Sequence, residues 1–347
     1  MDKKQKLGQF YTTNYKYILQ NLSIPSNTEN VIEPFAGKCD LLKFDNMDTR
    51  NVEKYDIDPK TNDVIKRDTL TNPPIYANKF VITNPPYLAR NKCKDKTLFD
   101  KYKINDLYKC FILQLIDDPP NGGIIIIPLN FWCSIRKADI TLRRKFLNVF
   151  NIIKLNIFEE KVFKDTSYTV CSFQFEKVKN KNNVDSINAT IYPCKKNMIF
   201  NLNDRNNYII GGDIYLLKQN PNIIVERLTH KNQSNNVGKY ITNLLLKCID
   251  NNEDNKISLT LVEDDKIFID DTPKCSARSY ATLIIKPALS LERQKLLAEK
   301  FNVYMAFKRK FYHSMFLTNY RESNSIARKR ISFNLAYTII NNLISKL

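Results

Sequence analysis

Glycine is scarce in this chain, with seven residues in 347. Each therefore marks a backbone need, and four of them (Gly8, Gly37, Gly122 and Gly123) fall in segments that carry motifs. The Gly-x-Gly-x-x-Gly fingerprint is missing, which excludes a pyrophosphate-binding turn of that kind. Histidine is limited to His230 and His313, and the eight cysteines show no Cys-x-x-Cys spacing. No metal site is expected from those donors, and cysteines dispersed in this way read as reduced thiols of an intracellular protein. No run of about 18 apolar residues and no N-terminal hydrophobic signal occurs, so a soluble protein without membrane association is expected. Negative charge is also in short supply: 36 Asp and Glu stand against 54 Lys and Arg, a net charge of +18. Such an excess favours a polyanionic partner, with nucleic acid the first candidate.

The first 178 residues alternate strand and helix patterns. Strands are expected at 30–34, 52–57, 64–67, 79–83, 123–128, 152–158 and 169–178, with helices at 103–117 and 137–150. Val81-Ile82 and Ile124–Ile127 are apolar without alternation, as in strands buried on both faces. This order implies an α/β fold with a doubly wound, mainly parallel, seven-stranded sheet. The loop between the last two strands is too short for a helical crossover, so an antiparallel hairpin is expected at the sheet edge. A polar stretch at 177–185 reads as a linker, which divides the chain into residues 1–178 and an α+β domain at 179–347.

Asn84-Pro85-Pro86-Tyr87 follows the apolar run Phe80–Thr83. Two prolines fix φ and remove two backbone donors, so the chain leaves the sheet as a stiff loop. It offers the Asn84 amide, one carbonyl and the flat face of Tyr87. Two acceptors beside an aromatic platform suit an amino group on a planar base. By itself the tetrapeptide does not separate an adenine from a glutamine amide. Asn72-Pro73-Pro74-Ile75-Tyr76 repeats part of the text, but lacks the adjacent aromatic and the delivering strand, and is expected to be a rigid turn.

Upstream, Val31–Asp40 reads as a strand, an acid (Glu33) and a glycine turn at Gly37 that opens a helix. Asp56 ends the next strand about twenty residues on, where an acid commonly takes the hydroxyls of a ribose. Asp68 ends the third strand, within reach of an adenine amino group. Together these describe a nucleoside cofactor without a pyrophosphate.

With these motifs in place, the chain resembles the S-adenosylmethionine-dependent, N6-adenine-specific DNA methyltransferases of gamma motif order, of the restriction–modification type. The resemblance covers roughly residues 7–178. Leu7–Thr13 is similar to the family's N-terminal motif that folds over the cofactor, with Thr12-Thr13 where many relatives have Thr-Pro. Cys39 replaces the second glycine of the first core motif. The resemblance implies that S-adenosyl-L-methionine is held by Phe10, Thr12, Thr13, Glu33, Phe35, Gly37, Asp56 (ribose), Ile57, Asp68 (adenine), Thr69 and Asn84. It implies a catalytic set of Asn84, Pro85, Pro86 and Tyr87, with Phe163 as the second aromatic around a flipped base. It also assigns residues 179–347 to target recognition on duplex DNA.

Residues 278–330 carry about a dozen Lys and Arg against three Glu, interleaved with aromatics. Arg321, Arg328, Lys329 and Arg330 are the phosphate-contact candidates there. The expectation is a monomeric adenine methyltransferase, paired with a cognate restriction endonuclease that shares its target. The alternatives are an enzyme of the same fold acting on release-factor glutamine or ribosomal RNA guanine, or a catalytically silent DNA-binding protein.

Overall fold

The computed structural model describes residues 8–163, 169–178, 186–235, 239–252, 254–270, 279–313, 315–322 and 327–347, with the backbone alone at 318–322 and 327–328. Leu7, most of the expected linker and Arg278 lie outside the described residues. The chain divides into two compact units, Met1–Asn203 and Asp204–Leu347.

The first unit begins with α1 (Tyr15–Ile18), β1 (Asn30–Glu33), β2 (Asn51–Asp56), β3 (Ile65–Lys66) and β4 (Phe80–Thr83). It continues through α2 (Thr97–Tyr102), α3 (Leu107–Asp117), β5 (Gly122–Pro128), α4 (Asn130–Cys133) and α5 (Lys137–Val149). β6 (Phe150–Phe158), β7 (Val170–Lys177), β8 (Ser186–Tyr192) and β9 (Lys196–Asn201) complete it. These strands form one sheet in the order β3-β2-β1-β4-β5-β7-β6-β8-β9. β1 to β5 are mutually parallel, as are β6 and β8. β7 runs antiparallel to β5 and β6.

The apolar runs explain the centre. All of β4 and β5 is buried, and Ile124, Ile125, Ile126 and Ile127 are 0% exposed. Burying each such side chain contributes about 1.5–3 kcal/mol, so the strands that launch the Asn84 loop and flank it are a rigid floor.

Three expectations need correction. The sheet has nine strands where seven were expected, because β8 and β9 add to β6. Their Ile187, Ala189 and Ile191 alternate inward, while β9 is polar and reads weakly as a strand. The β6–β7 hairpin is antiparallel as expected but lies inside the sheet, since β8 covers its outer strand. The sheet is doubly wound only in part. The links β1–β2, β2–β3 and β3–β4 contain no α-helix, and the glycine turn leads to a single 3-10 turn at Leu41–Lys43. Asn46 and Asp45 close side-chain turns in that link, which suits a loop.

The second unit holds β10 (Ile224–Arg227), β11 (Ile241–Lys247), β12 (Ser258–Leu261) and β13 (Tyr280–Lys286). They make an antiparallel sheet in the order β10-β13-β11-β12. α6 (Leu291–Tyr312) and α7 (Phe333–Ile344) are capped by Ser290 and Ser332, whose side chains accept from Arg293 and Leu335 N–H groups. The hairpin β14 (Thr318–Glu322) and β15 (Ala327–Arg330) lies between them in sequence. Leu297, Phe301 and Met305 of α6 and Ile339 and Ile340 of α7 share one core with Leu244, Leu246 and Leu283 of the sheet. This unit, Asp204–Leu347, combines an antiparallel sheet with two long helices.

Candidate active site

At the carboxyl ends of β1, β2 and β4 lies a cavity of about 260 Å³. Phe10, Phe35, Gly37, Asp56, Ile57 and Asp68 line it, together with Thr69, Asn84 and Pro86. Ile57 is 40% exposed although it follows a buried strand end, leaving an apolar face open on the cavity.

Asp56 organises the surrounding backbone. Its carboxylate accepts from the Gly37 N–H at 2.8 Å, the Asp58 N–H at 2.7 Å and Gln9 Nε2 at 3.2 Å. A carboxylate offers about four acceptor positions, so capacity remains for a further donor. The N–H of Gly37 thus serves Asp56, where a helix N-terminus had been expected. Gly37 has φ +53°, and a Cβ there would stand 3.0 Å from the Tyr11 ring. Cys39, in the place of the second glycine, adopts φ 59°. The turn therefore keeps a left-handed residue without glycine. Glu33 ends β1 fully buried, does not line the cavity, and its Oε2 has no hydrogen-bond partner among the described residues. Burial, reinforced by the charges of Asp56 and Asp40, raises its carboxyl pKa well above the usual range. Thr69 is pinned by donating to the Pro34 carbonyl at 2.9 Å, and Asp68 accepts from the Leu70 N–H at 3.1 Å.

The N-terminal segment and the Asn84 loop are clipped together. The Tyr87 N–H donates to the Gly8 carbonyl at 2.9 Å. Asn84 Nδ2 donates to the Phe10 carbonyl at 2.8 Å and to the Thr12 hydroxyl at 3.0 Å. The amide nitrogen is thereby committed to the N-terminal segment, and Oδ1 is left as the acceptor. Tyr87 donates its hydroxyl toward Asn84 Oδ1 and the Ile126 carbonyl, the latter at 2.6 Å. Burial raises the pKa of this hydroxyl well above its usual value and keeps it a neutral donor.

The aromatic arrangement differs from a two-ring clamp. Phe10 stacks on Tyr87 with centroids 5.3 Å apart, and lies 6.3 Å from Phe163 at a 40° tilt. Phe10 thus contacts both rings, and Tyr87 and Phe163 are themselves buried. Thr13 is exposed and does not line the cavity.

Downstream, Asp106 holds the exit of the loop. Its Oδ1 accepts from the Leu88 N–H at 3.1 Å, and the Leu107 N–H donates to the Leu88 carbonyl at 3.2 Å. Burial pushes its carboxyl up to about 7, against the lowering influence of Lys109. Asp106 and the cavity-lining Leu98 and Phe99 were not singled out from the sequence. The only signal for them was the apolar pair shortly after the tetrapeptide. The near copy of the tetrapeptide is structural: Tyr76 is 0% exposed, and its N–H donates to Asp118 at 2.6 Å.

In the second unit, Arg321 and Arg328 pair in register on the β14–β15 hairpin, and their side chains lie outside the described set. Lys329 is buried and Arg330 half-buried. Lys329 is therefore withdrawn from an open phosphate-binding surface.

Residues 11–163 match the model of the Eco57I restriction-modification methylase family. Two Haemophilus influenzae proteins are each 28% identical over 207 residues, covering 54% of this chain: the type II methyltransferases M.HincII and M.HindII. The match spans 40% and 39% of their respective lengths, so the chain covers less than half of either relative. Among solved structures, a modification subunit of a type I restriction enzyme from Vibrio vulnificus YJ016 aligns with a TM-score of 0.42. It is 13% identical and covers 55% of this chain and 49% of that one.

Proposed function

We propose that the chain transfers the methyl group of S-adenosylmethionine to N6 of an adenine flipped out of duplex DNA, as a restriction–modification methyltransferase. The observation that carries this reading is the orientation of Asn84. Its amide nitrogen is held by Phe10 and Thr12, so Oδ1 faces as an acceptor beside a cavity with two strand-end acids. An adenine N6 group carries two hydrogens and a lone pair delocalised into the ring. Asn84 Oδ1 and the Pro85 carbonyl, accepting one hydrogen each, would draw the nitrogen toward tetrahedral geometry and free the lone pair for attack. Holding the acceptor atom in that geometry supplies much of the rate. Once methylated, the nitrogen would release one of its two hydrogens as a proton to water, which this cationic amine does without a general base.

The cavity suits the cofactor. Its acids Asp56 and Asp68 offer acceptors to a ribose and an adenine amino group, and the exposed face of Ile57 offers an apolar contact for a planar ring. When bound, S-adenosylmethionine supplies an electrophilic sulfonium methyl. The residues of the chain orient, exclude water and accept hydrogens. For a base to stack on Tyr87, the Phe10 ring has to yield the face it covers. On this reading Phe163 is the second stacking ring, and the second unit takes part in reading the target.

The test is transfer of labelled methyl from S-adenosylmethionine to unmethylated genomic DNA, duplex RNA and a release factor, with Asn84→Ala as the control. Label on DNA alone, lost at least a hundredfold (~3 kcal/mol) in Asn84→Ala, is expected. Label on protein or RNA only would overturn the substrate, and full activity in Asn84→Ala would overturn the mechanism.

A further inference from the structure

A second cavity, of about 590 Å³, lies in the first unit away from the cofactor pocket. Lys103, Asn105, Lys109, Arg136, Lys137 and Lys145 line it, with Asp139 the one acid. Asp139 is already spent: it is buried, paired with Lys109 at 2.5 Å, and accepts from the Ser134 hydroxyl at 2.6 Å. The other four cations, Lys103, Arg136, Lys137 and Lys145, are exposed and have no ion pair among the described residues. Four unpaired positive charges around one concave surface repel each other unless an anion lies between them.

Topology sets this groove on the edge of the sheet that carries the chemistry. α3 joins the parallel strands β4 and β5, and α5 joins β5 to β6, so both helices begin at the carboxyl ends of the strands they follow. Lys103 caps the end of α2, Asn105 lies in the short link before α3 and Lys109 in the first turn of α3, while Arg136 caps and Lys137 opens α5. The wall of the groove is also fastened to the tetrapeptide loop. The Arg90 N–H donates to the Asn105 carbonyl at 3.0 Å, and Ala89 forms an antiparallel bridge with Asp106. Arg90 is three residues beyond Tyr87.

We propose that this groove binds the phosphate backbone of duplex DNA on the catalytic unit itself, holding the duplex beside the Asn84 loop. The inference rests on the reading of DNA as the polymer substrate. Flexible Lys and Arg side chains without a fixed base-reading partner suit phosphate contacts, which position a duplex and carry no sequence information. The groove therefore predicts sequence-independent affinity that survives when the target sequence is absent.

The experiment uses the full chain and a fluorescein-labelled, random-sequence duplex of about 30 base pairs, followed by anisotropy across a salt series. A quadruple variant, K103Q/R136Q/K137Q/K145Q, is compared with a control of equal charge change, K16Q/K177Q/K195Q/K196Q, whose positions lie outside both cavities. Each lost phosphate contact lowers the slope of log K against log[salt] by about 0.9, so the groove variant is expected to lose about 3–4. Its affinity near 0.1 M salt should fall at least about tenfold, with the control close to wild type. Binding of S-adenosylhomocysteine by calorimetry, unchanged in the variant, verifies that the unit is folded. If the quadruple variant misfolds, R136Q and K137Q singly should each lower the slope by about 0.9. An unaltered slope, an equal loss in the control, or a preference for duplex RNA overturns the proposal. A wild-type chain that methylates DNA while the groove variant binds normally refutes the groove alone. A wild-type chain that neither binds nor methylates DNA refutes the proposed function with it.

Discussion

Replacing Tyr87 by Phe separates the work of its hydroxyl from that of its ring. The hydroxyl is buried, donates to the Ile126 carbonyl at 2.6 Å and also faces Asn84 Oδ1. A buried neutral hydrogen bond contributes about 0.5–1.5 kcal/mol, and a buried acceptor left unmet costs about 1–3 kcal/mol. Asn84 lines the cavity, where water can reach its amide, so the penalty falls mainly on the Ile126 carbonyl within the sheet. A loss of about 1–2 kcal/mol follows. For a unit of this size it should lower Tm by about 3–6 °C in a thermal melt followed by circular dichroism. Methyl transfer at a permissive temperature should stay within about threefold of wild type, because the ring face is kept and Asn84 Oδ1 loses a competing donor. The two readouts thus move independently. A Tyr87→Phe variant with unchanged Tm and methyl transfer reduced about a hundredfold would refute this assignment and give the hydroxyl a chemical role.

The Asp106 carboxyl keeps its proton up to about pH 7 in the folded state, whereas an unfolded Asp releases it near 3.9. Its contribution to stability is full below about pH 4 and is lost as the pH rises through about 7. Asp106→Asn keeps an acceptor for Leu88 and should flatten the Tm–pH profile in that window; an unchanged profile would contradict the burial argument. Cys39→Gly relieves a left-handed residue, φ 59°, of about 1–2 kcal/mol while adding about 0.5–1 kcal/mol of chain entropy. Urea unfolding should show a gain of about 0.5–1 kcal/mol, and a loss would mean that the Sγ contact to Thr61 at 3.8 Å matters more than the backbone. Gly8→Ala brings a Cβ to 2.8 Å from the Tyr87 carbonyl at φ +67°. Because residue 8 lies outside the sheet, Tm should hardly move while kcat falls about tenfold or more, and equal kcat would show that the clip is not needed.

The strands that were easiest to read are those whose burial leaves no ambiguity. β4 and β5 are apolar without alternation because helices and loops cover both faces, and the observed bounds differ from the expected ones by a single residue. The expected helix at 103–117 begins only at Leu107, since Lys103 turns left-handed at φ 52° and Asp106 is extended. Ile104 continues the apolar period across that break, so spacing alone hid it. β9 was missed because an edge strand faces solvent and needs no apolar pattern. Within the site, the strand-end acids and the tetrapeptide were legible as local text. The role of Phe10 was not, because its contacts join segments more than 70 residues apart, and neither was the basic groove, which the fold assembles from the end of α2, the start of α3 and one side of α5.

An asparagine amide is a rotor with two nearly equivalent settings, since its terminal torsion is broad and roughly two-fold and its ends differ mainly in the sign of the dipole. In one setting residue 84 accepts from an amino group; in the other it opposes that group with N–H bonds of its own. Nothing within Asn84-Pro85-Pro86-Tyr87 chooses between them, because the Tyr87 hydroxyl can either donate or accept. The choice is made by the Phe10 carbonyl, which only accepts, and the Thr12 hydroxyl joins it at 3.0 Å. The polarity of the Asn84 amide is therefore written in a segment outside the sheet, and a chain shortened past residue 12 would keep its tetrapeptide while losing the sense in which the amide points.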